Sequence, residues 1–139
     1  MITRSVTVAK IKREYWQMIK DERKRYEIRS NAVAYDSQVF VFVDADSQEY
    51  LGCARIKGET LFGGYDNSPW TWNLLSQLSA VPVDELQELF SWMLGITDAE
   101  SEVELSVYEV EPIDEATLTA YIIHGPNAFE DKNAEAGEA

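Results

Sequence analysis

The chain has one cysteine and one histidine, and each scarcity removes a class of chemistry. A lone Cys53 cannot close an internal disulfide, and with only His124 beside it no thiolate–imidazole zinc set can be assembled. A catalytic thiol would want a histidine close in space, and no such pattern surrounds Cys53. In Leu51-Gly52-Cys53-Ala54-Arg55-Ile56 it reads as a small apolar strand residue. No apolar run approaches the roughly 18 residues that a membrane helix requires. The opening Met1-Ile2-Thr3-Arg4 leads into alternating residues, unlike the apolar stretch of a signal peptide. Gly63-Gly64 is followed by neither a Lys-Ser/Thr pair nor a helix start in register, so it is no phosphate loop. The expectation is a cytoplasmic protein with no metal, no cofactor and no membrane contact.

Basic residues are few and unevenly placed. Residues 1–30 hold nine Lys or Arg against four acids, a charge of +5, whereas residues 31–139 hold three against twenty-one, a charge of −18. The net charge of −13 therefore misdescribes the N-terminal face. Such a field suits a small or short anionic ligand better than duplex DNA. Aromatics are plentiful, with four Trp, seven Tyr and five Phe, and 139 residues suffice for one domain with a core of its own.

The pattern along the chain predicts a first strand over 5–9 and a helix over 11–20, whose buried stripe is Ile11, Tyr15, Met18 and Ile19. A second strand over 25–30 sets Arg25, Glu27 and Arg29 on one face. Val39-Phe40-Val41-Phe42-Val43 is apolar on both faces and so is covered on both. Tyr50 to Ile56 returns as its hairpin partner and runs on through Thr60-Leu61-Phe62. Trp70 to Leu78 reads as a short helix. Pro82 opens the longest helical stripe, 83–94, with Asp84 and Glu85 at its positive end and Gly95 as its stop. A strand covers 103–110, and 113–123 fits helix or strand equally. Residues 1–125 form a single domain, and 126–139 read as an acidic tail without fixed structure. The class is α+β, a mixed, mostly antiparallel, barrel-like sheet flanked by two or three helices.

This order of elements resembles the ASCH family, relatives of the PUA barrel. The residues that carry the likeness are Tyr15-Trp16 through Ile19, then Lys24-Arg25-Tyr26-Glu27-Ile28-Arg29, a K-x-x-E-x-R strand. Tyr35-Asp36 ahead of Val39 is similar to the family's turn, and 51–56, 90–96 and 107–110 to its return strand, closing helix and last strand. The resemblance spans roughly 6–112 and implies a PUA-like barrel that binds RNA or a modified nucleoside or nucleotide. One branch of the family resembles an amidohydrolase that uses a Lys, a Thr and a Glu. Lys24 matches the first, Glu27 stands in place of the Thr, and the Glu falls near Ser79. With two of three positions changed, hydrolysis is not carried over.

The candidate ligand-binding residues are Lys24, Arg25, Glu27 and Arg29, with Trp70 and Trp72 as stacking surfaces walling the same cleft. Arg offers a planar donor fork and Lys a point charge for phosphate, while a carboxylate accepts from a base's amino group. The bland alternative is a solvated charge ladder on one strand face. Likewise Trp70, Trp72, Tyr65 and Phe62 either stack bases or close the open end of the barrel. A different class of function stays open too. The acidic run from Asp98 to Glu115 is either a solubilising face or a dock for a basic protein partner that handles nucleic acid, with mimicry of nucleic acid as one form of such docking.

Overall fold

The computed structural model describes residues 1–30, 33–34, 36–97 and 103–130. Five strands form one sheet: β1 (Thr7–Ile11), β2 (Tyr26–Arg29), β3 (Val39–Asp44), β4 (Tyr50–Phe62) and β5 (Leu105–Ile113). Their order is β1-β3-β4-β5-β2, with β1 parallel to β3 and every other pair antiparallel. The sheet curls into a half-barrel, so the predicted class and architecture are observed. β1 and β2 are its two edges. Between them no main-chain ladder forms among the described residues.

β3 shows why its apolar run is continuous. Phe40 and Phe42 enter the main core, while Val39 and Val41 enter a second cluster on the other face with Cys53 and Tyr121. Cys53 is a buried free thiol, and burial pushes its pKa up, as suits a packing residue rather than a nucleophile. The main core is closed by α1 (Arg13–Lys20), which buries Tyr15, Trp16 and Ile19. Trp16 lies tilted on Phe42 with ring centroids 5.7 Å apart. Across the sheet Gly52 makes room for that indole: a Cβ at Gly52 would stand 2.1 Å from Trp16 Cζ2.

α2 (Pro69–Ser79) begins with Pro in its first turn, where the missing N–H costs nothing, and ends on Ala80 in the left-handed region. The long helix expected over 83–94 is two pieces. α3 (Val83–Leu89) stops at Phe90, whose φ of −116° and ψ of 46° leave the helical region, and a short 3-10 helix, Ser91–Gly95, follows. The ambiguous stretch 113–123 resolves into the end of β5 and α4 (Glu115–His124), because the Asp114 carboxylate accepts from the Thr117 N–H as an N-cap.

The expected tail boundary at 126 falls inside packed structure. Phe129 is buried, stacks on Tyr121 at 5.6 Å and receives the Arg55 guanidinium on its face at 5.0 Å. Residues 131–139, together with Tyr35 of the expected turn and Asp98, Glu100 and Glu102 of the acidic run, lie outside the described residues. Among the described residues no helix is long and apolar enough to cross a membrane.

Candidate functional site

The gap between the edges β1 and β2 is a cleft of about 310 Å³. Lys10, Ile11 and Lys12 line one wall, Lys24 and the segment Glu27–Ser30 the other, and Tyr15, Leu89 and Phe90 supply apolar surface. Main-chain bonds do not span the gap, but a side chain does: Arg29 Nη2 donates to the Lys10 carbonyl at 3.1 Å. The same nitrogen donates to Glu27 Oε2 at 3.0 Å.

Lys24 sits at the floor, only 2% exposed. Its ammonium donates to the Ser79 carbonyl at 2.5 Å and to the Tyr26 carbonyl at 3.0 Å, and lies 3.7 Å from Glu27 Oε1. All three of its protons therefore have an acceptor nearby. Burial holds its pKa below the ordinary 10.5, against the opposing pull of Glu27. Glu27, 8% exposed, lies between the two cations Lys24 and Arg29. Such a buried cluster is stable only because nearly every charge has a geometric partner.

An outer latch shapes the apolar side. The Tyr15 hydroxyl donates to Glu85 Oε2 and Lys12 Nζ approaches the same oxygen at 3.3 Å, tying α1 to the first turn of α3. The Tyr15 hydroxyl, then Lys12, holds the Glu85 carboxyl below its ordinary range. Desolvation, then the Glu85 carboxylate, raises the Tyr15 phenol. Tyr15 packs beside Lys24, its ring centroid 5.9 Å from the ammonium. Opposite, the break in the helix at position 90 puts Phe90 on the cleft instead of along a helical stripe.

Of the candidate residues, Lys24, Glu27 and Arg29 lie together at the cleft. Arg25 does not line the cleft: it lines a neighbouring notch of about 170 Å³ with Glu22, Lys57, Glu109 and Glu111, and Lys24 borders both. The ladder of three charges on one face is therefore a pair. Neither tryptophan walls the cleft. Trp72 is 2% exposed and donates through Nε1 to Asn67 at 2.8 Å, whereas Trp70 is 51% exposed on the outer side of α2. The aromatic positions are filled by Tyr15 and Phe90, which sequence reading assigned to core stripes. Lys10 was also missed, although β1's alternation, with Ala9 and Ile11 buried and Lys10 outside, was a usable signal. Position 79 does lie against Lys24, but it presents a carbonyl, and its hydroxyl is turned to Leu75 O at 2.7 Å.

No family model and no curated protein matches the sequence. Solved structures do match in shape. The ASCH protein of Zymomonas mobilis aligns over 86% of this chain and 80% of its own at 12% identity, with a TM-score of 0.52. The fold is that of an ASCH domain. A single-substitution variant of the same Zymomonas mobilis protein aligns over 87% and 85% at 11% identity with a TM-score of 0.52. The hypothetical protein PH0355 aligns over 78% of this chain and all of its own, 100%, at 14% identity with a TM-score of 0.50. At these identities the ASCH fold is what is shared, and the chemistry of the cleft must be argued from its own residues.

Proposed function

We propose that this chain is a small PUA-like binding module that holds RNA or a nucleoside in the cleft between β1 and β2. The supporting observation is the convergence of Lys24, Glu27 and Arg29 beside the apolar faces of Tyr15 and Phe90. A base ring lies against the aromatic side. Its polar edge meets Glu27, an acceptor for an amino group, and Arg29, whose hydrogen bonds among the described residues leave from Nη2. The volume is at the lower end for ligand pockets, which suits one base with its sugar. Because Ser79 stands where the resemblance would need a carboxylate, the reading stops at binding and includes no hydrolysis. The acidic-partner reading gains no comparable support, since Glu109 and Glu111 sit 3.8 and 3.6 Å from Lys57.

Titration with the common ribonucleosides and short single-stranded RNAs, wild type beside Arg29→Ala, tests the proposal. Removing one charge-assisted contact should weaken binding by about 1–3 kcal/mol. Absence of binding, or equal binding by both proteins, sinks it.

A further inference from the structure

The cations of the cleft are not equivalent. Lys24 is fully committed to two carbonyls and Glu27. Lys12 is paired with Glu85. Arg29 is tied through Nη2 to Glu27 and to the Lys10 carbonyl, and its Nε is buried without a partner. Lys10 differs from all of these. It is exposed on the rim, and its ammonium has no hydrogen bond or ion pair among the described residues. The bond from Arg29 Nη2 to the Lys10 carbonyl places the guanidinium against the Lys10 main chain, and both residues line the cleft.

We propose that the Lys10–Arg29 rim is a phosphate subsite, so the ligand of the cleft is a phosphorylated nucleoside rather than a free one. This rests on the nucleoside-binding reading above and adds the group that a neutral nucleoside lacks. Counting Glu85 against Lys12, the lining cations exceed Glu27 and Glu85 by two charges, on a chain whose net charge is −13. A neutral ligand would leave that local excess unmatched. A phosphate matches it, taking a point charge from Lys10 and the Nη1 donors of Arg29. The shared chemistry is a phosphate ester, found both in a free nucleotide and in the backbone of RNA.

The test compares three probes on the full chain by calorimetry at low salt: a ribonucleoside, its 5′-monophosphate, and a dinucleoside monophosphate. The monophosphate should bind about tenfold tighter than the nucleoside, an advantage that shrinks as salt is raised. Lys10→Gln, at an exposed position, should remove most of the monophosphate's advantage over the nucleoside, while Lys10→Arg retains it. An equal gain with the dinucleoside monophosphate identifies the RNA backbone as the source, and a gain confined to the 5′-monophosphate identifies a free nucleotide. The inference is overturned if nucleoside and nucleotide bind wild type equally, if the advantage survives Lys10→Gln, or if Lys10→Gln weakens both alike. Binding of no probe by wild type overturns the cleft reading itself, and the phosphate subsite with it.

Discussion

Lys24→Met asks whether the lysine at the cleft floor belongs to the ligand or to the fold. Methionine keeps an unbranched stem of similar length, so the packing against Tyr15 largely survives and what is lost is the charged head. The Ser79 and Tyr26 carbonyls, at 2.5 and 3.0 Å from that head, would lose their donor in a buried site, and Glu27 would keep Arg29 as its single cation. A hydrogen bond from a charged donor contributes about 1.5–3 kcal/mol, and an orphaned buried acceptor costs about 1–3 kcal/mol. Against this stands the desolvation of the ammonium, the same effect that depresses its pKa, which the substitution relieves. The balance is a loss of about 2–4 kcal/mol, large beside the roughly 5–15 kcal/mol of a typical domain. For a domain of this length that lowers Tm by about 6–15 °C. Differential scanning calorimetry of both proteins decides the matter. A fall of less than about 2 °C, with ligand binding abolished, would show that the ammonium is not spent on the fold and would refute the reasoning.

Other perturbations separate further parts of the structure. Gly52→Ala should cost about 1–3 kcal/mol by urea unfolding, because its Cβ must displace the buried Trp16 ring, whereas Gly58→Ala, with nothing within 4 Å, should change stability by less than about 0.5 kcal/mol; equal effects would count against the packing described. Phe129→Ala should cost about 2–4 kcal/mol, and a neutral result would mean that residues 126–130 do not help close the second core cluster. Glu85, held below its ordinary 4.5 by Tyr15 and Lys12, contributes stability that is complete above that value and is lost as pH falls through its lower native pKa. Glu85→Gln should therefore flatten the acid limb of the stability–pH curve, and an unchanged limb would show that the latch carries no such linkage.

The elements with a clear period were legible from sequence. β3 and β4 stand where alternation put them, and the doubly apolar β3 is covered on both faces as its composition demanded. α1 and β2 are present but shorter than expected, since Ile11 ends β1, α1 starts at Arg13 and buries Trp16 rather than Met18, and β2 starts at Tyr26. The failures share a cause: each turns on which way one side chain faces after tertiary packing. Phe90 continues a helical stripe in one dimension but leaves the helix in space, and that break decides what walls the cleft. Trp70 and Trp72 were indistinguishable as stacking residues until α2's rotation buried one and exposed the other. Arg25 fits the strand's alternation, yet β2 begins one residue later. The Asp114 cap was readable, since Asp ahead of Glu115 marks a helix start, but the apolar content of 116–123 masked it.

The cleft is also held in place by contacts between distant parts of the chain. β2 pairs with β5 in the register Tyr26 to Glu109, Lys24 meets a carbonyl 55 residues away, and Tyr15 meets Glu85 across 70. Contacts of such long range carry a loop-closure cost before they stabilise anything, and they slow folding. During synthesis, the residues that give the cleft its charge emerge early, and the strand that holds them in place emerges late. Until β5 has been made, β2, which carries Glu27 and Arg29, lacks its partner in the sheet. A nascent chain thus cannot present the finished cleft before β5 has joined the sheet.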